Sequence, residues 1–294
     1  MIPFEMTEPA SLKEAVAMLD PQEPTIRPVA GGTALMLMMK AGVFRPTRLV
    51  SLHRVEPEHA RIAVNGSGEL RIGALATLSA LEHDRNVAVR LPVLKRALRT
   101  LSNPRVRNVA RVGGALAHGD PHMDLPPVLA ALAARVSVTG PDGTRELPLA
   151  ELYTGYYETV LARNELISAV TVPPLGGRRA AYVKVTARSA DDWPALGIAV
   201  SFMLTDGVAR EPIVVISAAT EKVTPLKSAE RVLQSGRLDD QLLRHAADAA
   251  AKEAILLTDA HGSAGYKREL LRIFLGRAVR EAAHAVDATG PRQS

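Results

Sequence analysis

The stretch "RPVAGGTALMLMMKAG", residues 27–42, decides how the chain is read. An extended apolar entry runs into Gly31, Gly32 and Thr33, and these into a run of helical character. Glycine at a strand-to-helix turn permits positive φ and lets the main chain approach a ligand closely. Free amides beside a helix N-terminus suit phosphate oxygens, and Thr33 adds a hydroxyl that can cap the helix or donate to a phosphate. A near echo, "RNVARVGGALAHGD", stands at residues 107–120. One glycine pair is a turn. Two, each after a Val-containing lead-in, point to one ligand held by two loops. Neither stretch contains G-x-G-x-x-G or G-x-x-x-x-G-K-S/T, so neither a Rossmann dinucleotide turn nor a P-loop is indicated.

The chain has 294 residues and 47% hydrophobic content, enough for a core spread over two or three subdomains. It contains no cysteine. Disulfides, thiolate metal sites, cysteine nucleophiles and iron–sulfur clusters held by this chain are thereby excluded. The start "MIPFEMTEPASLKEAV" lacks a basic n-region and an apolar h-region, so it does not read as a signal peptide. No apolar run approaches the roughly 20 residues of a membrane span. A soluble, cytoplasmic protein is expected. The net charge is +5, but the arginines are scattered and aromatics make up 3% of the chain. Stacking platforms for nucleic acid are therefore scarce, and the charge reads as a solvated surface suited to an anionic cofactor or an acidic partner subunit.

Periodicity and turn chemistry give the elements. "SLKEAVAMLD" is a helix with Ser11 as N-cap and Glu14 completing a capping box. "TIRPVA" and "TRLVSL" are strands around a helix "TALMLMMKAG" closed by Gly42. "ARIAVNGSGELRIGA" and "RVSVTGPDGTREL" are hairpins. "TLSALEHD", "LPVLKRALRTL" and "DLPPVLAALAA" are helices, the last with Asp124 as N-cap. "ELISAVTVP" and "AAYVKVTA" are strands, and "PALGIAVSFML" and "EPIVVISAAT" are strands about Asp206-Gly207. From Pro225 the pattern is helical, ending in a long helix with Leu270, Ile273, Phe274 and Ala278 on its apolar side.

Together, "VAGGTALMLMMKAG", "RNVARVGGALAHGDPHMDLPPVLAAL" and "AAYVKVTARSADDWPALGIAV" resemble the flavin-binding (medium) subunit of the molybdenum hydroxylase and xanthine dehydrogenase family, in its carbon monoxide dehydrogenase-like branch. The resemblance runs along nearly the whole chain. It implies an α+β fold: a two-subdomain FAD-binding fold of the vanillyl-alcohol oxidase (PCMH) type over residues 1–175, divided near residue 58, then a carbon monoxide dehydrogenase flavoprotein C-terminal-like domain over 178–287 with a three-stranded antiparallel sheet and helices, and a tail at 288–294.

The resemblance also implies roles. Ala30, Gly31, Gly32 and Thr33 would wrap the FAD pyrophosphate, within a contact segment of Arg27, Pro28, Val29, Ala34 and Leu35. Arg111, Val112, Gly113, Gly114 and Ala115 would close on the same cofactor through main-chain amides. Asp124, Leu101 and Ile167 match positions near the FAD. Lys184 matches a lysine on the flavin side, where a cation would stabilise the anionic reduced flavin. Trp193, the only tryptophan, matches an aromatic near the isoalloxazine ring. Two residues depart from the family pattern: Ala34 and Ala115 stand where polar side chains are usual. Neither glycine loop has a His or Cys for covalent attachment, so the FAD would be noncovalent. His118 and His122 flank Asp120, but a flavin motif is a poor setting for a metal, and no metal ligand and no catalytic residue are assigned.

The function implied is an oxidoreductase subunit that relays electrons. A molybdopterin-binding large subunit and a [2Fe-2S] small subunit would be its partners, in a dimer of heterotrimers, with electrons leaving to NAD, a quinone, oxygen or another acceptor. A flavin-less scaffold of the same complex and a stand-alone flavin reductase are the alternatives.

Overall fold

In the computed structural model, which describes residues 3–285, three sheets of three or more strands follow one another along the chain, each with its own helices, and a two-stranded ribbon accompanies the second. The first is parallel. β1 (Glu5–Thr7), β2 (Ile26–Val29) and β3 (Arg48–Ser51) lie in the order β1-β3-β2, connected by α1 (Leu12–Ala17) and α2 (Thr33–Lys40). Leu12, Ala15, Val16 and Leu19 recur at helical spacing and are buried with Val50 and Val55. The Ser11 hydroxyl accepts the Glu14 amide at 3.1 Å. The Glu14 carboxylate reaches back to the Ala10 amide at 2.8 Å, so the capping box is shifted by one residue. α2 ends as its sequence suggests: Gly42 is left-handed at φ +71, and bonds from Gly42 to Met39 and from Val43 to Met38 close a Schellman turn.

The second unit begins with the hairpin β4 (Ile62–Val64) and β5 (Leu70–Gly73). Six helices follow: α3 (Leu78–His83), α4 (Arg85–Arg90), α5 (Pro92–Arg99), α6 (Pro104–Val109), α7 (Val112–Ala117) and α8 (Leu125–Ala131). Then come the hairpin β6 (Arg135–Gly140) and β7 (Gly143–Pro148), the ribbon β8 (Tyr153–Gly155) and β9 (Glu158–Thr159), and β10 (Leu166–Val172). β10 sits centrally in an antiparallel sheet of order β4-β5-β10-β6-β7.

β11 (Arg179–Val185), β12 (Leu196–Thr205), β13 (Val208–Ser217) and the two-residue β14 (Thr224–Pro225) form the third, antiparallel sheet. The three long strands are those expected, and β14 adds a short fourth to the edge of β13. Asp206 and Gly207 both take positive φ (52° and 78°), the requirement of a two-residue type I′ hairpin. α9 (Lys227–Leu233), α10 (Asp240–Glu253) and α11 (Ala264–His284) cover one face. Alternation along the strands divides their side chains between two cores: Ile198, Val200, Val214 and Ile216 face these helices, while Ala199 and Val215 join the core of the second unit. A sheet buried on both faces explains why "LGIAVSF" reads as a continuous apolar run. On α11 the buried stripe is Leu270, Leu271, Leu275, Ala278 and Val279, whereas Ile273 is exposed. Among the described residues no helix is long and apolar enough to cross a membrane.

Candidate functional site

Six helices are capped by side chains: Ser11, Thr77, Asp84, Asn103, Asp239 and Ser263 each accept from an amide of the first turn. α2 is different. Its N-cap is Gly32 at φ +67, with no side chain to offer, and Thr33 is already the first helical residue, so the expected Thr33 cap does not form. The amides of Gly31, Gly32, Thr33, Ala34 and Leu35 have no partner among the described residues. All five residues are partly accessible. The result is a run of N–H groups at the positive end of a helix.

Gly31 fixes where this run lies. A Cβ there would stand 2.3 Å from the Val109 carbonyl oxygen and 2.8 Å from the Ala110 Cα. Only glycine allows the first loop to press against the α6–α7 corner, and that contact brings the two glycine stretches together. Arg27, Pro28 and Val29 enter from β2, and the Arg27 guanidinium lies over the Phe44 ring, 5.1 Å from its centre.

The second stretch is not a structural echo of the first. Its Val-containing lead-in is the helix α6, started by Asn103 (its Oδ1 accepts from Val106) and Pro104. Gly113 and Gly114 lie inside the first turn of α7, and neither has positive φ. Most of the amides expected to face a cofactor are engaged. Val112 donates to Ala76 (3.0 Å), Gly113 to Ala74 (2.7 Å) and Ala115 to Arg111 (2.9 Å). Gly113 is needed for packing, because a Cβ there would be 2.7 Å from the Ala74 Cβ. Gly114 keeps an unpartnered amide among the described residues, and nothing lies within 4 Å of where its Cβ would be. Arg111 is anchored to the Leu75 carbonyl at 2.9 Å. Ile167 sits on β10 at a bulge, and its neighbour Ser168 accepts from Ala74, so β10 and α7 share one anchor.

Asp124 stands at the N-cap position of α8, but its side chain makes no capping bond. It has helical φ and ψ, and its side chain turns away from the amides of α8. One carboxylate oxygen accepts from the Lys184 ammonium at 2.9 Å and the other from the Tyr182 hydroxyl at 2.5 Å. Lys184 also donates to the Thr100 carbonyl at 2.8 Å, next to Leu101, whose side chain is core. The reason is burial: with the pair 8% and 5% exposed, a lone charge would be costly, and each side chain neutralises the other. Burial raises the Asp124 pKa, with Lys184 and Tyr182 opposing it, and the Tyr182 hydroxyl is pushed well above its usual value. Lys184 is therefore a cation whose charge Asp124 compensates.

Two residues before Asp124, His122 lies under Trp193 in a parallel stack with ring centres 5.7 Å apart. His118 instead meets Tyr157 edge-on. The His122 ring spans Asp120 and Asp259, and Asp259 bonds Lys267, which is fully buried. Sequence reading passed over Tyr182, Asp259 and Lys267. Tyr182 was signalled by its place two residues from Lys184 on one strand face. Lys267 was signalled by falling on the apolar stripe of α11 with Leu270 and Leu271.

Residues 2–175 match the FAD binding domain in molybdopterin dehydrogenase, and residues 181–282 match the CO dehydrogenase flavoprotein C-terminal domain. The chain belongs to the molybdopterin dehydrogenase FAD-binding family. It is 32% identical to the carbon monoxide dehydrogenase medium chain of Hydrogenophaga pseudoflava, covering 96% of this chain and 98% of that one. It is 28% identical to the glyceraldehyde dehydrogenase medium chain of Sulfolobus acidocaldarius, covering 95% and 98%. The solved carbon monoxide dehydrogenase of Hydrogenophaga pseudoflava superposes with a TM-score of 0.91 over 96% of this chain and 99% of that one. This family member is thus an FAD-binding medium subunit of the molybdenum hydroxylase family, and an oxidoreductase subunit like its relatives. The residues present fit FAD: a left-handed glycine, five consecutive free amides and a glycine-opened surface at Gly114 can accept a pyrophosphate through the main chain.

Proposed function

We propose that this chain is the flavin-carrying electron-relay subunit of a molybdenum-containing hydroxylase or dehydrogenase. Bound FAD supplies the redox chemistry, linking the one-electron [2Fe-2S] clusters of a partner subunit to an external acceptor such as NAD, a quinone or oxygen. The observation that carries the reading is the uncapped start of α2, held by Gly31 against the α6–α7 corner.

Each element has a task in this reading. The amides of Gly31–Leu35 and of Gly114 hold the pyrophosphate. Arg27–Val29, Leu101, Arg111–Gly113 and Ile167 shape the surrounding surface. Asp124 and Lys184 give the flavin side a rigid dipole with one ammonium proton to spare. Trp193 presents an aromatic edge. Ala34 and Ala115 remove side-chain hydrogen bonds only, and Ala115 is buried in the core. The main-chain cradle persists, which favours a flavoprotein over a flavin-less scaffold.

The absence of cysteine supports placing the clusters on a small subunit and the molybdopterin on a large one. A dimer of heterotrimers in the cytoplasm, and a division at residues 175–178 with an inner division near residue 58, belong to the same proposal. Reconstitution tests it. The purified chain incubated with FAD should retain one flavin after gel filtration and release it on acid precipitation, as a noncovalent cofactor does. A chain that retains none refutes the relay. Turnover of an organic substrate by the isolated chain would instead establish a stand-alone reductase.

A further inference from the structure

The His122 ring is held at both ends by acceptors. Nδ1 is 3.0 Å from Asp120 Oδ1 and Nε2 is 3.1 Å from Asp259 Oδ2. An ionised carboxylate only accepts hydrogen bonds, so satisfying both contacts requires a proton on each ring nitrogen. Neither carboxylate is free to turn away. Asp120 Oδ1 also accepts the His122 amide at 2.9 Å. Asp259 accepts the His261 amide at 2.8 Å and the ammonium of Lys267 at 2.5 Å, and Lys267 is anchored to the Ala218 carbonyl at 3.2 Å. Two separate parts of the chain meet at this ring, the turn before α8 and the segment before α11, and α11 braces the second through Lys267.

The face of the ring is equally well placed. Trp193 lies over it with planes 17° apart. Trp193 is 52% exposed, so one indole face rests on His122 and the rest is presented outward. Its own main-chain tie reaches only the adjacent Asp192 carboxylate. A cation beneath an indole is the favourable form of such a stack.

We propose that His122, held as an imidazolium between Asp120 and Asp259, is the positioning residue that seats Trp193 at the edge of the flavin site. The role of Trp193 there rests on the function proposed above, whereas the His122–Trp193 stack does not. The charged and titratable groups around the ring are Asp120 and His118 on its own turn, Asp259 and His261 before α11, Lys267 on α11, and Tyr156 and Tyr157 in the β8–β9 turn. Burial lowers the His122 pKa, but the hydrogen bonds and charges of Asp120 and Asp259 outweigh it and hold the value above the ordinary 6.5. Loss of the second proton breaks one of the two carboxylate contacts and removes the charge from under the indole.

Trp193 is the only tryptophan, so its emission reports the stack directly in the isolated chain without flavin. Protonated imidazole in contact quenches indole emission. The wild-type emission should rise with pH, with a midpoint above that of free histidine. His122→Gln should be brighter and lose this titration, Asp259→Asn should move the midpoint to lower pH, and His261→Gln should keep it. Circular dichroism checks that each variant is folded. Emission that does not titrate in the wild type, or that titrates unchanged in His122→Gln, overturns the proposal. FAD titration separates the two readings: a chain whose emission titrates but that binds no FAD refutes the relay and leaves the stack standing. If FAD binds, its quenching of Trp193 should be weaker in His122→Gln, and equal quenching refutes the positioning role.

Discussion

Gly114 separates a packing role from a binding role, because the structure gives the substitution opposite signs for each. Nothing lies within 4 Å of where a Gly114 Cβ would stand, and the residue lies in the first turn of α7 with ordinary helical φ. Gly114→Ala therefore meets no clash and removes the backbone entropy of a helical glycine, a gain of about 0.5–1 kcal/mol in stability. The same methyl fills the open surface beside the one free amide of that turn. If it displaces a phosphate oxygen, one hydrogen bond to a charged group is lost, about 1.5–3 kcal/mol. That corresponds to roughly a tenfold to hundredfold weaker FAD affinity. Gly114→Leu should weaken it further. Urea unfolding of the flavin-free protein and FAD titration by calorimetry measure the two terms separately. An alanine variant that binds FAD like wild type refutes the placement of the pyrophosphate at this surface. A variant that loses stability and FAD together shows that Gly114 is a packing residue.

Gly31→Ala should behave in the opposite way, since its Cβ would stand 2.3 Å from a main-chain oxygen that cannot move aside. A loss of about 1–3 kcal/mol in unfolding free energy is expected, with FAD retention lost as the two glycine stretches separate. Lys184→Met leaves Asp124 buried without its partner and should cost about 3–5 kcal/mol, most of it recovered by adding Asp124→Asn. The loss should narrow in acid, where Asp124, already raised by burial, takes up a proton in the folded state. For His122, a raised folded pKa means its contribution is complete below the ordinary 6.5 and is lost as pH rises through the raised value. Urea midpoints of the wild type should fall across that alkaline range, and those of His122→Gln should fall less.

Much of the fold is legible in the sequence because local rules and burial agree. Asp206-Gly207 supplies the two positive φ values of a tight hairpin, and the flanking runs pair across it. Gly42 ends α2 where a left-handed residue is needed. The helix before the second glycine pair is not read from the sequence, for a physical reason. In "PRVRNVARVGG" the apolar residues are too few to show a helical period, and the helix depends on Asn103, Pro104 and packing instead. Asp124 has the expected N-cap position but not the expected capping bond. Asp before a Leu-Pro-Pro helix start has the right residue type for a cap, yet the deciding partner, Lys184, is 60 positions away. Long-range pairing of buried charges leaves little local trace in the sequence.

The two glycine stretches divide the work unequally, and this changes how their alanines are weighed. In the first, five amides are free and the residue that matters for assembly is Gly31, whose missing Cβ admits the Val109 carbonyl. In the second, Gly113 serves the core against Ala74, and Gly114 has an amide without a partner among the described residues beside an open surface. In the proposed site, side chains at positions 34 and 115 would add hydrogen bonds to a cradle made by the main chain. Neither change moves an amide: Ala34 lies in the first turn of α2, and Ala115 donates its own N–H to Arg111. A site built from backbone N–H groups tolerates loss of neighbouring side chains but not the addition of a methyl. On the proposed placement of FAD, alanine at position 34 or 115 leaves the main-chain groups in place, alanine at 114 weakens binding, and alanine at 31 should abolish it by displacing the loop.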